Sequence, residues 1–544
     1  MSVVTLSIKS DGQAIPVDIP VVAVDVRHAL NRLSTCTLLL VDGDIAEQKF
    51  AISDGGLFKL GAEIEVLARY EDSTSGEKSL FKGLVVRHGI ESNDNGSCLR
   101  VEMRDKALRM TRPRRSQVFV DAKDSDVFAK LAKAAGLQAR VDATTTVHPS
   151  LVQVDCTDWD WLVTRAEAIG MVVATTGGGI RVTKPVLTGS PVLQATWGMD
   201  IMDMEFECDA LGQDASVEAL SWDIGSQKLS KTKGAAPPKP KQGRMDGADA
   251  AEALGFGAST LVHRAPLLAE EAKAWADATA ARTQFGLLRG RLRVQGTGLV
   301  HLLDGVEIVG VAKAFQGEVL VTGVCHRIGD GDWTTDLQFG LDATPHHRRS
   351  DIVSAPAAGL LPPATGLQIG IVEAVAEDPL KEHRVKVKVP SLGESTVGLW
   401  ARIAAPDAGN ARGICFRPEP GDEVVLGFFN DDPRLPVVLG ALFSSKNAPP
   451  AAVLDASDKN NLRGFVTRSG LTLALDDEKK QLSLQTPSGA KLLLDDDGEA
   501  IVLSDKHGNK ITLDKDGITI ASAKDFKVDA SGNVVVKGSK IDLN

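Results

Sequence analysis

Residues 488–522 read SGAKLLLDDDGEAIVLSDKHGNKITLDKDGITIAS. Apolar and polar residues alternate for four or five positions, an acidic or glycine-containing turn follows, and the pattern returns. Alternation of period two marks a strand with one covered face. A shift of 19 superposes Gly470, Gly489 and Gly508, and also Asp476, Asp495 and Asp514. The same shift aligns Leu473/Leu492/Ile511, Leu475/Leu494/Leu513 and Leu482/Ile501/Ile520, so the segment is an internal repeat. From Ile518 the interval shortens to eight, giving Ile518/Phe526/Val534 and Ile520/Val528/Val536. Short strands carrying two or three apolar points between polar turns are the sequence form of a β-helix or β-prism.

One ribbon of roughly eighty residues that hides a single apolar row cannot offset its own ordering entropy. Several identical chains can, if their rows meet on a common axis, and a strand that turns every eight residues suits a three-sided prism. The expectation for 462–544 is a homotrimeric, intertwined triangular β-helix. Its core is Leu473, Leu475, Leu482, Leu492, Leu494, Ile501, Ile511, Leu513, Ile518, Ile520, Phe526, Val528, Val534 and Val536. On this reading the chain stops where the rod's tip is, with Val536, Ile541 and Leu543 on the last strands.

Upstream, 544 residues exceed what one core supports, so two to four domains are expected. Abundant glycine (52), 4% aromatic residues and few helical patterns favour a mainly β, turn-rich chain. The 61 basic and 72 acidic residues are interspersed, which disfavours phosphate binding and hence nucleic acid. Six scattered cysteines form no CxxC pair, and the ten histidines show no HxH or HExxH spacing, so neither cofactor nor metal is expected. The N-terminus lacks a basic segment followed by an apolar one, which implies synthesis and assembly in the cytoplasm.

Residues 1–352 alternate strand-like runs with turns and read as a β-barrel-like region with inserted helices. SDVFAKLAKAAGL (125–137) is one helix, with Ser125 as N-cap and Gly136 at its end, and 265–285 is another. CTDWDWLVTRAEAIG (156–170) offers Trp159 and Trp161 as a sugar platform, but it also reads as a helix capped by Thr157 or Asp158 and stopped at Gly170, the plainer use. TTGGG (175–179) lacks the GxGxxG pattern and fits a hairpin turn. The lysine-rich stretch 227–247 reads as a solvated loop, with an electropositive anchor as the alternative. Linkers at 353–366 and 447–461 bracket 367–446, whose short strands fit an oligonucleotide/oligosaccharide-binding (OB) barrel. Trp400, Phe416, Phe428 and Phe429 lie among acidic turns there and read as barrel core rather than a nucleic-acid platform. Glu419, Asp422, Glu423, Asp431 and Asp432 would make a glycosidase pair only with two carboxylates flanking a cleft, and acidic residues in Pro/Gly turns are ordinary.

The run PEPGDEVVLGFFNDDPRLPVVLGAL (418–442), with Trp400, Pro418, Gly421, Asp422, Glu423, Phe428, Asp432, Pro433, Pro436 and Gly440, resembles the spike proteins of contractile injection machines. These are the VgrG family of type VI secretion and the corresponding phage tail spikes. The segment 31–66 looks more like spikes of extracellular, phage-tail-like particles. The resemblance implies a homotrimer whose N-terminal hub of doubled barrels meets a hexameric inner tube and baseplate. It also implies a needle that carries a PAAR-repeat tip through the target membrane, effector cargo, and no active site. No lysozyme or toxin segment stands beside the needle, and His507 is alone where some phage spikes use HxH for iron. The rival from another class is a trimeric β-helical tailspike enzyme acting on polysaccharide.

Overall fold

The computed structural model describes residues 3–72, 76–94, 96–342, 344–393 and 397–543. The chain divides into two compact units, Met1–Ser354 and Ala355–Asn544.

The first unit opens with β1 (Val4–Ser10), β2 (Gln13–Ala14), β3 (Val21–Ala29), β4 (Thr35–Val41), the short helix α1 (Ala51–Asp54), β5 (Glu63–Tyr70), β6 (Lys78–Asn93) and β7 (Gly96–Arg104). In space the order is β3-β4-β7-β6-β5-β1-β2, antiparallel throughout. Alternate residues point inward, so Leu38, Leu40, Ile64, Val66, Leu99 and Val101 are fully buried in one core.

An α/β insertion follows: β8 (Arg114–Lys123), α2 (Asp124–Ala134), β9 (Gln138–Val141), β10 (Val147–Thr157), α3 (Asp158–Ala168), β11 (Val172–Thr175) and β12 (Gly179–Thr183). Trp159 and Trp161 sit in its core with Phe119 and Phe128, which removes them from any sugar platform. Thr157 caps α3, its Oγ1 accepting the Asp160 N–H at 3.1 Å. Ser125 does not cap α2: the helix begins at Asp124, and the Ser125 N–H instead donates to Thr144 Oγ1. The Gly-rich stretch joins β11 and β12 as an antiparallel hairpin.

A second strand lobe comprises β13 (Leu193–Thr196), β14 (Ile201–Cys208), β18 (Leu288–Gln295), β19 (Gly305–Val309), β20 (Gly317–Gly329) and β21 (Asp332–Phe339) around its own core. Between β14 and β18 are inserted β15 (Ser216–Asp223), β16 (Lys228–Lys233), α4 (Gly247–Ala253), β17 (Ala258–His263) and α5 (Ala269–Leu287). The lysine-rich stretch is therefore not all loop: Lys228–Lys233 pairs antiparallel with β15. Beyond it, Lys239 and Lys241 are paired with Asp246 and Glu318, so the free positive charge is smaller than the composition suggests.

The two lobes match strand for strand. The order β5-β6-β7-β4-β3 in the first corresponds to β19-β20-β21-β18-β14 in the second. β6 and β20 each carry a bulge, between Val85 and Arg87 and between Val321 and Gly323. β3 and β14 do too, between Val21 and Ala23 and between Ile201 and Asp203. Even the flanking bonds agree: Gly61 N–H donates to Val85 O, and Leu303 N–H to Val321 O, both at 2.9 Å. The match ends at the outermost strand, since β1 is antiparallel to β5 whereas β13 is parallel to β19. The lobes are fused where the second half of β20 pairs with β3, Gly323 opposite Ala29 through Gly329 opposite Ala23.

In the second unit, β22 (Gln368–Ala374), β23 (Val385–Lys388), β24 (Leu399–Ile403), β27 (Glu423–Phe428) and β28 (Pro436–Ala441) form a closed five-stranded barrel. β25 (Ala408–Gly409) and β26 (Arg412–Gly413) form a small hairpin in the long β24–β27 connection. Val385, Val387, Ala401, Val424 and Leu426 fill the barrel. Beyond it, β29 (Leu462–Val466), β30 (Thr472–Asp476), β31 (Gln481–Gln485), β32 (Lys491–Asp495), β33 (Ala500–Ser504), β34 (Lys510–Asp514) and β35 (Gly517–Ala521) form an antiparallel meander in chain order. Residues 522–543 form no strand within the single chain, so the eight-residue repeat at Phe526, Val528, Val534 and Val536 is not paired there. Asn544 lies outside the described residues.

Candidate functional site: the apolar face of the C-terminal meander

The 19-residue repeat is a repeat of turns as much as of strands. Gly470, Gly489 and Gly508 have φ of 86°, 94° and 92°, a region costly for any side chain, and each closes a turn between strands. Just before them Thr467, Thr486 and Asp505 accept, through side-chain oxygen, the N–H four residues on. The other marker set works at the opposite end of the strands. Asp476, Asp495 and Asp514 fold back onto the N–H groups of Lys479, Gly498 and Asp516. These turns lock the register, and register decides which side chains share a face.

The pairing places Leu475 opposite Leu482, Leu482 opposite Leu494, Leu494 opposite Ile501, Ile501 opposite Leu513 and Leu513 opposite Ile518. A second column runs Leu473, Leu484, Leu492, Leu503, Ile511, Ile520. Side chains directly opposite in an antiparallel pair lie on the same side of the sheet. One face of β30–β35 is therefore twelve Leu and Ile residues, and the other is Ala474, Ser483, Leu493, Val502, Thr512 and Thr519. Eight of the twelve are 38–70% exposed, whereas Leu38 and Leu40 of the N-terminal core are at 0%. A contiguous apolar face of this size marks an interaction surface.

Ten of these twelve are among the residues singled out from the sequence; Leu484 and Leu503 are not. Their signal is the same shift of 19, which also superposes Phe465, Leu484 and Leu503, and Phe465 lies opposite Leu473. Val536, Ile541 and Leu543 are exposed and outside any strand.

The barrel motif resolves into one hairpin. Gly421, with φ of 94°, and Asp422 form the turn into β27, the Asp422 carboxylate accepting the Glu419 N–H at 2.8 Å. Glu423 begins β27, Phe428 ends it against the barrel core, and Pro436 opposite Phe428 begins β28, where Gly440 faces Val425. Between them Asp432, 5% exposed, accepts the Arg434 N–H at 2.9 Å and takes its guanidinium on both oxygens. That guanidinium holds the Asp432 carboxyl below its ordinary range. Asp432 and Pro433 thus shape the connection between the strands, and Pro418 precedes the turn at Gly421. Trp400 is half-buried on β24, its ring 5.9 Å from the Arg384 guanidinium carbon. Phe416 and Phe429, expected in the core, are 64% and 50% exposed. Eight-odd inward positions fill a five-stranded barrel, and both phenylalanines fall in connections outside it; Phe416 packs instead against Phe465, with ring centroids 5.4 Å apart.

Several barrel carboxylates are held in turns and ion pairs: Glu419 with Arg468, Asp378 with Arg384, Asp432 with Arg434. Among the described residues no three His, Cys, Asp or Glu side chains gather as a metal site requires.

Comparison with known proteins agrees with this architecture. The type VI secretion system/phage-baseplate injector OB domain matches residues 368–443, and the phage baseplate V C-terminal trimerisation domain matches 481–544. The actin cross-linking toxin VgrG1 of Vibrio cholerae is 29% identical over 142 residues, 25% of this chain and 12% of that protein. The type VI secretion system spike protein VgrG3 of Vibrio cholerae is 34% identical over 84 residues, 15% of this chain and 8% of that protein. The matches thus span about a tenth of these relatives' own length. Among solved structures, the prophage MuSo2 43 kDa tail protein from Shewanella oneidensis is similar at 12% identity and a TM-score of 0.47, over 61% of this chain and 97% of that one. An injector OB barrel followed by a trimerisation segment defines the class: a VgrG-like structural spike protein of a type VI secretion or phage-baseplate-like machine. By its N-terminal part the chain belongs to the family of the Alg8 N-terminal domain, whose model matches residues 1–330.

Proposed function

We propose that three copies of this chain form the central spike, their C-terminal meanders wrapped so that the three Leu/Ile faces meet on one axis. The observation that carries this is the uncovered apolar face of β30–β35. One chain cannot fold it away, and an antiparallel ribbon with such a face is stable only against another layer. Wrapping also supplies partners for residues 522–543, which gain neighbours from the other two chains. Enclosed in this way, the needle has few free strand edges, as a rod pushed through an envelope requires.

In this reading the protein acts mechanically rather than as an enzyme. The N-terminal unit docks on a hexameric inner tube, the needle carries a PAAR-type tip at Val536–Leu543 and crosses the target membrane, and effectors travel with the assembly. The spike is made and assembled in the cytoplasm.

Light scattering on the full chain tests the trimer: three times 57.6 kDa is expected at high dilution, and a monodisperse monomer would refute it. A chain ending at Lys446 should lose binding to a PAAR protein in pull-down; retained binding would place the tip's seat elsewhere.

A further inference from the structure

An apolar cavity of about 540 Å3 lies within the N-terminal unit, away from the needle and the barrel. One side of it is α5, where Ala274, Ala278 and Ala281 recur at a spacing that puts them on one helix face. Leu187, Leu320 and Phe339 are part of the remaining apolar lining. Close-packed interiors hold few voids larger than a water molecule, whereas small-molecule sites measure about 300–1,000 Å3. The alanines keep this volume open, since any longer side chain on that face would reach into it.

The outer wall is a segment suited to lifting. Ala235, Ala236 and Pro238 line the cavity and are at the same time exposed to solvent. Residues 234–240 form no strand, and Pro237, Pro238 and Pro240 have no N–H with which to join a ladder. The segment is held through side chains instead. The Ala235 N–H donates to Asp277 Oδ1 at 2.6 Å, Gln284 Nε2 donates to the Pro238 carbonyl, and Lys239 meets Asp246 at 3.3 Å. These contacts can open without unpairing a sheet.

The charges of the lining are unequal. Asp277 is paired with Lys273, Glu318 with Lys241, and Lys239 with Asp246. Lys184, exposed at the end of β12, lines the same cavity and is the one charged side chain there without an ion-pair partner among the described residues.

We propose that the cavity binds one fatty acid, its acyl chain against Ala274, Ala278, Ala281 and Leu320 and its carboxylate at Lys184. Apolar walls with a single uncompensated cation at the surface match an amphiphile with one negative end. A peptide would leave backbone N–H and C=O groups unpaired against alanine and proline. A cationic amphiphile would meet Lys184 with like charge. The site does not depend on the trimer.

Calorimetric titration of the full-length chain with decanoate is the test. One decanoate per chain is expected, with affinity rising about fourfold for each methylene added between octanoate and decanoate. Decyltrimethylammonium should bind more weakly, although the net charge of −11 would favour it at any non-specific surface. Ala281→Leu occupies the volume and should abolish decanoate binding with a melting temperature no lower than wild type; Ala274→Leu repeats the test from another point of the same helix face should the first variant not fold. Lys184→Gln should weaken decanoate about three- to fivefold and leave decyltrimethylammonium no weaker. Absence of saturable decanoate binding by the wild-type chain overturns the site, as does binding that survives either folded leucine variant. Decanoate affinity unchanged in Lys184→Gln, or decyltrimethylammonium binding as tightly as decanoate, overturns the carboxylate assignment.

Discussion

Leu494→Asp tests the needle most directly, because the pairing register assigns Leu494 a face and the physics assigns the face a cost. Leu494 lies between Leu482 and Ile501 in the apolar column and is 40% exposed in the single chain, an exposure that the proposed wrapping would remove. Replacing it forfeits about 2 kcal/mol of leucine burial per chain. The new carboxyl has no partner in a layer of Leu and Ile, so it stays neutral; holding a carboxyl of ordinary pKa protonated at pH 7 costs about 4 kcal/mol more. The total is about 6 kcal/mol per chain and, by symmetry, roughly three times that per trimer, which exceeds the whole stability of a typical domain. Leu493→Asp, one residue away beside Ser483 and Val502, should cost about 1 kcal/mol, and Asp496→Leu, in an exposed turn, less still. Trimer survival in SDS and melting at pH 7 and pH 4, each against wild type at the same pH, are the readouts. At pH 4 the protonation cost nearly vanishes, so Leu494→Asp should recover about two thirds of its deficit. Wild-type melting of Leu494→Asp at pH 7, or a larger loss in Leu493→Asp, would show that the Leu/Ile face is not the inner one.

Acid should weaken the fused sheet of the N-terminal unit. Burial beside His28 lowers the His326 pKa from 6.5 to about 3, so the folded state excludes a proton that the unfolded chain takes up as pH falls below 6.5; the loss is about 2 kcal/mol at pH 5, and His326→Leu should flatten the slope of urea midpoint against pH between 6.5 and 4. Thr157→Ala removes the N-cap of α3 and should cost about 1 kcal/mol in urea melts, with Thr157→Ser close to wild type; equal losses in both would point to packing of the methyl group instead. Gly464→Ala sets a Cβ against the Leu473 carbonyl oxygen at a φ of 154° and should unpair β29 from β30, read as lost protection of the Leu473 and Leu475 amides in hydrogen exchange.

The meander was legible because two local codes agree there: alternation of period two names the faces, and Gly470/Gly489/Gly508 with Asp476/Asp495/Asp514 name the turns. Leu484 and Leu503 obey the same shift of 19, but their column opens on the aromatic Phe465 where the other columns open on Leu. Phe416 and Phe429 were misjudged for a different reason. Being aromatic in a small barrel says nothing of whether a residue falls on a strand, and both fall in connections. The lobe duplication was invisible to any single shift. The offset is 180 residues from β3 to β14 but 254 from β4 to β18, since β15–β17, α4 and α5 intervene in the second lobe only. Hydrogen-bond register preserves the duplication where residue identity does not: His88 corresponds to Val324, and Ile90 to His326.

The apolar residues of the N-terminal strand core and of the C-terminal meander are disposed in opposite ways, and this separates what one chain can stabilise from what it cannot. In the N-terminal unit the alternating residues of β3–β7 close on themselves, and Leu38, Leu40, Ile64, Val66, Leu99 and Val101 reach complete burial without any partner. Among the described residues the unit also leaves strand edges open, those of β6 beyond Arg87 and of β14 among them, and its β8–β10 ribbon exposes Val118, Val120, Val152 and Val154. The barrel of the second unit likewise fills itself. In the meander the backbone is paired from β29 to β35 while the side chains are left half in water. Association through a satisfied backbone and an exposed apolar face is driven by burial and weakens on cooling; association through open edges is directional and sets register more than strength. In the proposed trimer the C-terminal meander therefore supplies most of the affinity that holds three copies together. It follows that a chain truncated after Lys446 should stay folded but run as a monomer in light scattering at low concentration, and a stable trimer of that truncation would place the affinity outside the meander.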